Sequence, residues 1–254
     1  MMKKSLNVIT TFLLATVFTF KVGAEEVDSK TLPKDPKIAN GTATISSSES
    51  QLSIYQQTDK LIINWNTFNI GKEATVEFFQ PNSTSTALNR VQSNDPSHIY
   101  GNLKANGKLI FINPNGVIFQ GGSKVDVGAL IATTFEMNDA HFRNDNYLLQ
   151  HEGLNSVLRN EGTINAYEGG TVALIAKSVV NEGEINTPGG DTALLAGDSV
   201  KLTMDGNSLI SYNVNRGALD AIIENKNAIN ADNGAVILSA KGKDEIISAV
   251  VNNS

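Results

Sequence analysis

From Thr42 onward the chain consists of short apolar runs closed by Gly, Asn or Pro. Residues 42–46, 52–56, 61–64, 75–79 and 87–91 are rich in β-branched and aromatic residues and too short for helices. Residues 109–112, 117–119, 125–127 and 129–133 continue the series, and almost nothing before residue 135 has helical period. Phe135 to His151 breaks the rhythm with charged and polar residues around Phe142 and Tyr147. This segment is expected to stand off the main body as an insertion.

A repeat follows. Asn160-Glu161-Gly162-Thr163-Ile164-Asn165 returns 21 residues later as Asn181-Glu182-Gly183-Glu184-Ile185-Asn186, and more weakly as Asn225-Lys226-Asn227-Ala228-Ile229-Asn230. Each copy leads across a glycine into a second strand, at residues 171–176, 192–196 and 235–240. A unit of this length with two or three short strands is one coil of a solenoid, and one coil cannot bury its inner face alone. A leucine-rich repeat has a similar period, but its Leu-x-x-Leu-x-Leu spacing is missing. The pattern therefore predicts an all-β fold over residues 42–254. It is a single-stranded, right-handed parallel β-helix with short insertions outside the coils, right-handed because parallel crossovers nearly always are.

Stacked coils predict which residues meet. Ile164, Ile185 and Ile229 should lie above one another, as should Leu174, Leu194 and Leu238. Asn160, Asn181 and Asn225 are placed to form an asparagine ladder at a corner. Met204–Glu224 interrupts the repeat, with 219–223 expected to be helical, and Lys243–Val250 reads as a second short helical excursion. Val250-Val251-Asn252-Asn253-Ser254 resembles the opening of a further repeat, so the chain is expected to begin a longer solenoid.

The amino terminus is of another kind. Lys3 and Lys4, a mostly apolar stretch from Leu6 to Phe20 and the small residues Val22-Gly23-Ala24 form a secretory signal peptide, residues 1–24. Residues 25–41, polar and carrying Pro33 and Pro36, are expected to be a flexible start to the mature chain. The formal charge is −6, and residues 1–24 hold Lys3, Lys4 and Lys21 with no acid, so their removal leaves −9. An acidic chain with no basic stripe argues against a nucleic-acid partner. Cysteine is absent, so a secreted protein of this kind must be held together by packing and hydrogen bonds.

Little in the sequence points to catalysis. His98, His141 and His151 have no metal-ligand spacing, and the Gly-x-Ser-x-Gly, phosphate-loop and His-Glu-x-x-His motifs are missing. Residues 121–126 only faintly echo a calcium-binding nonapeptide, and Asp139, Asp145, Glu152, Glu161 and Glu168 are scattered as on a solvated face. Trp65 is expected to be a half-buried strand residue. No cofactor and no metal are expected.

The most distinctive stretch is Asn113-Pro114-Asn115-Gly116, between the strands 109–112 and 117–119. Asn caps with its side chain, Pro fixes φ at the second position and Gly suits the fourth, which is type I turn chemistry. Upstream lie Asn64-Trp65-Asn66-Thr67-Phe68-Asn69-Ile70-Gly71, Gln80-Pro81-Asn82-Ser83, Ala87-Leu88-Asn89-Arg90-Val91 and Asp95-Pro96-Ser97-His98-Ile99-Tyr100-Gly101. In that order, from about Ile45 to the end, these resemble the secretion domain of two-partner-secretion exoproteins of the filamentous haemagglutinin and high-molecular-weight adhesin type. That family carries an Asn-Pro-Asn-Gly motif, matched in full by residues 113–116. It often carries an earlier Asn-Pro-Asn-Leu, of which Gln80-Pro81-Asn82-Ser83 keeps only Pro81 and Asn82.

The resemblance implies a secretion-targeting domain, not an enzyme, captured by the periplasmic POTRA (polypeptide-transport-associated) domains of a cognate outer-membrane transporter. It implies export through the general secretion machinery, release to the cell surface or medium, and a surface adhesin or haemagglutinin downstream with host-cell or glycan ligands. Asn113, Pro114, Asn115 and Gly116 are the first candidates for the recognised determinant, followed by Pro81, Asn82, Asn89 and Arg90. A cytolysin passenger and a β-helical polysaccharide lyase are the alternatives. The lyase would need clustered acids and an adjacent base, which the sequence does not show.

Overall fold

The computed structural model describes residues 27–153, 155–218, 220–242 and 250–253. The signal segment, Leu219 and most of the second expected helix, residues 243–249, lie outside them. The coils pass through three sheets in turn. Sheet I is eight-stranded and includes Thr75–Phe79, Asn102–Ala105, Lys124–Val127, Thr163–Ala166, Glu184–Asn186 and Ile229–Asn230. Sheet II, also eight-stranded, includes Lys60–Trp65, Thr86–Val91, Lys108–Ile112, Ala129–Thr133, Val172–Ala176, Thr192–Ala196 and Val236–Ala240. Sheet III holds Ser97–Ile99, Val117–Phe119, Val157–Asn160, Ser178–Asn181, Ile222–Asn225 and Val250–Asn253. Neighbouring coils pair in parallel throughout these strands, and the fold is a parallel β-helix.

The repeats align as stacked coils require. In sheet I, Leu103, Val125, Ile164, Ile185 and Ile229 occupy one inward column. In sheet II, Ala132, Leu174, Leu194 and Leu238 form another. Each fully buried aliphatic side chain in such a column contributes roughly 1.5–3 kcal/mol. Between sheets I and II, Gly107, Gly128, Gly170, Gly190 and Gly234 stack so closely that a methyl group on Gly170 would lie 2.0 Å from the Gly128 carbonyl. Only a residue without Cβ allows that backbone approach.

Two amide rows tie the coils together. At the sheet III corner, Asn160 Nδ2 donates to Asn181 Oδ1 at 2.8 Å, and Asn181 Nδ2 donates to Asn225 Oδ1 at 2.7 Å. On the outer face of sheet I a second row runs the other way. Asn230 Nδ2 donates to Asn186 Oδ1 (2.7 Å), Asn186 Nδ2 to Asn165 Oδ1 (2.9 Å), and Asn165 Nδ2 to the Asp126 carboxylate (2.7 Å).

Several expectations need correction. Residues 27–41 are not a loose lead-in: Leu32 packs on the core, Lys34 bridges Thr67, and Lys37–Asn40 pairs antiparallel with Lys60–Trp65. Ala43–Ser47 likewise pairs antiparallel with Gln51–Gln56. These strands satisfy the backbone groups that the first coil would otherwise leave as open edges. The expected helix at 219–223 is absent from its described part, since Ile222–Asn225 is a strand in register with Ser178–Asn181, and Ile223 is wholly buried.

The two insertions also do not stand off. The first contains a five-residue helix, Asp139–Arg143, capped by Asn138, and the strand Tyr147–Gln150. The second, expected at Met204–Glu224, is instead the hairpin Ser199–Asp205 and Ser208–Arg216, which starts earlier and ends before the coil resumes at Ile222–Asn225. Tyr147–Gln150 pairs antiparallel with Ser199–Asp205, so both insertions merge into one three-stranded sheet. This sheet covers the outside of sheet II and forms a second apolar core that includes Ile110, Ile131, Phe142, Leu149 and Leu202. Sheet II needs that cover because Lys108–Ile112, Ala129–Thr133, Val172–Ala176 and Thr192–Ala196 are buried at every position.

Candidate functional site

Asn113 to Gly116 turns the chain from sheet II into sheet III. The Gly116 N–H closes it on the Asn113 carbonyl at 3.1 Å, and the Asn115 N–H donates to Asn113 Oδ1 at 2.9 Å. Gly116 has φ +125°, a conformation that a side chain resists. Asn113 is wholly buried, and its Nδ2 donates to Asp95 O (3.1 Å) and Ser97 Oγ (2.9 Å) in the preceding coil. The Asn113 N–H donates to Thr133 O in the next coil. Its amide thus has both donors engaged and its oxygen occupied. Pro114 and Asn115 are part-exposed, with Asn115 Nδ2 donating to Ser93 O at 2.8 Å.

The earlier motif lies at the opposite margin of sheet II, between sheets I and II. Asn82 Oδ1 accepts from the Thr84 and Ser85 N–H groups at 2.9 Å each, while Nδ2 donates to Asp59 at 3.0 Å. Pro81 and Asn82 are exposed. Gln80, where the family pattern has Asn, is buried and accepts from Gly107 N–H (2.9 Å) while donating to Ser85 O (2.9 Å). The longer amide thus has a structural role at this corner.

Asn89 and Arg90 are structural ties. Asn89 Oδ1 accepts from the Trp65 indole at 3.0 Å, and Trp65 is fully buried, not half-buried as expected. Arg90 donates to Asn64 Oδ1 (3.1 Å), Met137 O (2.7 Å) and Asp139 (2.9 Å) and pairs with Glu136 at 3.2 Å. Burial raises the Glu136 carboxyl above the usual range, with the Arg90 guanidinium opposing that rise. Arg90 lies in register with Ile112, the residue before the turn, so Arg90 and Asn113 share one margin of sheet II and Pro81–Asn82 the other.

Sequence reading missed Lys108. Nearly buried, it donates to Gly206 O at 2.6 Å and lies 5.2 Å from the centre of the Tyr147 ring. Desolvation lowers its pKa to about 8, with Asp145 opposing the shift. The signal was a lysine opening an otherwise apolar strand run. Among the described residues, no group of three His, Cys, Asp or Glu side chains is arranged to hold a metal. His98 instead meets Gln120 at 3.0 Å, and burial lowers its pKa.

A family model described as the TPS secretion domain matches residues 29–254. The chain belongs to the TPS secretion domain family. This TPS domain is 33% identical over 251 residues to a heme/hemopexin-binding protein of Haemophilus influenzae strain Rd, covering 95% of this chain and 27% of that protein. A second heme/hemopexin-binding protein of Haemophilus influenzae is 37% identical over 143 residues, 56% of this chain and 15% of that protein. The crystal structure of the HMW1 secretion domain from Haemophilus influenzae superposes with a TM-score of 0.75 at 28% identity, over 82% of this chain and 57% of that one. The TPS domain spans about a quarter or less of the length of these curated relatives. Its place is therefore that of the secretion domain of a two-partner-secretion exoprotein.

Proposed function

We propose that the POTRA domains of the cognate outer-membrane transporter recognise this chain through Asn113, Pro114, Asn115 and Gly116 before its coils close, with Pro81, Asn82, Asn89 and Arg90 contributing. The observation that carries the timing is the saturation of the Asn113 amide by Asp95, Ser97 and Asn115. A receptor that reads this side chain must meet it while those partners are not yet in place. The same turn then serves folding, because it links three successive coils.

Co-expression with the transporter, alongside urea unfolding of the purified chain, tests this reading. Asn113→Ala is expected to lower secretion by more than its loss of stability explains. Normal secretion of Asn113→Ala would exclude that side chain from recognition. A fall in secretion that scales with stability across several turn variants would leave folding as the turn's only role.

A second reading concerns what the domain leads. The match over 95% of the chain to a protein named for heme and hemopexin binding favours a heme-acquisition exoprotein over the adhesin or haemagglutinin expected from sequence. The full-length exoprotein on cells or in medium would then bind haemin or hemopexin. Strong host-cell adhesion without haemin or hemopexin binding would restore the adhesin reading.

A further inference from the structure

Asn-Gly steps occur in the chain at 40–41, 106–107, 115–116 and 233–234. Glycine lets its backbone nitrogen approach the preceding side chain unhindered, because no Cβ stands in the way. That nitrogen attacks the asparagine Cγ, its proton leaves with the side-chain amide as ammonia, and a cyclic imide closes. Water then opens the ring by breaking one of the two bonds from carbonyl carbon to nitrogen. One product is aspartate. In the other, isoaspartate, the main chain runs through the side chain and gains a methylene. The attack needs a peptide nitrogen without a hydrogen bond and a side chain able to swing round. The fold sets these conditions differently at each step.

Two steps are locked. Gly107 is buried and its N–H donates to Gln80 Oε1 at 2.9 Å. Asn106 Oδ1 accepts from the Gln80 N–H (2.7 Å) and its Nδ2 donates to Gln80 O (2.9 Å). Gly116 is likewise buried with its N–H on Asn113 O, and Ser93 O holds the Asn115 amide. The step at 233–234 is intermediate. Both residues are exposed, but the Gly234 N–H donates to Ala231 O at 3.0 Å. At 40–41 all the conditions coincide. Gly41 is exposed and Asn40 part-exposed, and among the described residues neither the Asn40 side chain nor the Gly41 N–H makes a hydrogen bond.

We propose that Asn40–Gly41 is a site of spontaneous deamidation in the folded chain, and that isoaspartate there loosens the strands capping the first coil. Asn40 ends Lys37–Asn40, which covers the sheet II edge at Lys60–Trp65. Gly41 and Thr42 are the whole link to Ala43–Ser47, which pairs with Gln51–Gln56. The backbone is tightly seated, since a methyl group on Gly41 would lie 2.3 Å from Lys60 O. A methylene added beside so short a link, with both ends fixed by pairing, forces one strand out of register. The edge of Lys60–Trp65 then opens. Closing the coils has the opposite effect at Asn115, which in the unfolded chain is as open to attack as Asn40 and is protected once Ser93 and Asn113 are in place.

The test keeps the purified, folded chain in warm, mildly alkaline buffer and follows each Asn-Gly peptide by its amide-to-acid mass gain. Labelling by isoaspartyl methyltransferase identifies the isoaspartate. Conversion is expected to be fastest at Asn40 and slower at Asn233. At Asn106 and Asn115 it should be about tenfold or more slower than at Asn40, because locked steps react only through local opening. In urea the rates should draw together. The converted chain, separated by its added negative charge, should exchange the backbone amides of residues 37–40 and 60–65 faster than the parent. Asn40→Gln, whose longer side chain closes the ring far more slowly, should keep the parent's exchange through the same incubation. Conversion of Asn106 or Asn115 as fast as Asn40 in the folded chain overturns the site. So do rates in urea as unequal as those in the fold, since sequence alone would then select Asn40. Unchanged exchange in the converted chain overturns the loosening of the cap.

Discussion

Asn181→Ala is the sharpest test of how a cysteine-free solenoid holds its coils together. The Asn181 side chain is wholly buried between Asn160, which donates to it at 2.8 Å, and Asn225, which accepts from it at 2.7 Å. Truncation removes two hydrogen bonds, each contributing about 0.5–1.5 kcal/mol, and strands two polar groups at about 1–3 kcal/mol each where no replacement is found. Asn160 Nδ2 retains a long contact to Glu184 O at 3.5 Å, and Asn225 is 6% exposed, so relaxation recovers part of the loss. The expected destabilisation is about 2–5 kcal/mol. Asn186→Ala is the control. It also removes two amide contacts, at 2.9 and 2.7 Å, but on the outer face where water replaces them, and should cost less than about 1 kcal/mol. Urea titration of the purified domain gives both values. Hydrogen exchange at the backbone amides of residues 181 and 225 shows whether the loss is local, because stacked repeats unfold less cooperatively than compact domains. Equal shifts for the two variants, or no shift for Asn181→Ala, would refute the claim that the buried row stabilises the coils.

Ile185→Ala should cost about 2–5 kcal/mol through the cavity it leaves in the sheet I column, and an unchanged urea midpoint would remove residue 185 from the core. Gly170→Ala should cost about 1–3 kcal/mol or more, because its methyl must push the Gly128 carbonyl away; thermal unfolding at the wild-type midpoint would contradict that close approach. Lys108 gives a pH test. Its folded pKa of about 8 lies below the ordinary 10.5, so between these values the folded chain releases a proton that the unfolded chain keeps. Stability from this residue therefore rises with pH across that window, by up to roughly 3 kcal/mol, and is flat below about pH 8. Urea midpoints at pH 7.5 and 10 should show a rise in the parent that Lys108→Met lacks, and parallel behaviour of the two would refute it.

The coil was legible because its repeat is explicit. Asn-x-Gly-x-Ile-Asn and the glycine before each sheet II strand mark the same corners in successive turns, and the register pairs Ile164 with Ile185 and Leu174 with Leu194. The insertions were misread because their charged residues around Phe142 and Tyr147 suggested solvent. The correcting signal lay elsewhere, in Leu109–Ile112. Unbroken apolar runs mean a strand covered on both faces, so something had to fold back over sheet II. The same reasoning would have removed the helix at 219–223, whose Ile223 takes an inward coil position. The outer Asn165–Asn186–Asn230 row was in the repeat itself, one residue after the isoleucine. At the candidate site the turn was readable from its residue types. The anchoring of Asn113 to Asp95 and Ser97 was not, because it depends on which coil lies beside it. Arg90 was legible as a polar residue at a strand end, while its partners Met137 and Asp139 lie 47 and 49 residues away.

The two amide rows point in opposite senses along the solenoid, and this gives each coil a means of proofreading its alignment. Apolar alternation rejects a slip of one residue, since that turns the core face outward, but it tolerates a slip of two. At the sheet III corner an arriving coil must present an amide oxygen, and on the outer face of sheet I it must present an amide hydrogen. At the corner, a strand displaced by two residues puts Val179 or Gly183 where Asn181 belongs and leaves the buried Asn160 donor without that partner. On the outer face it puts Glu184 or Pro188 in place of Asn186, and neither can donate an amide hydrogen from its side chain. The hydrophobic core decides which way a coil faces, and the asparagines decide where along its neighbour it stops.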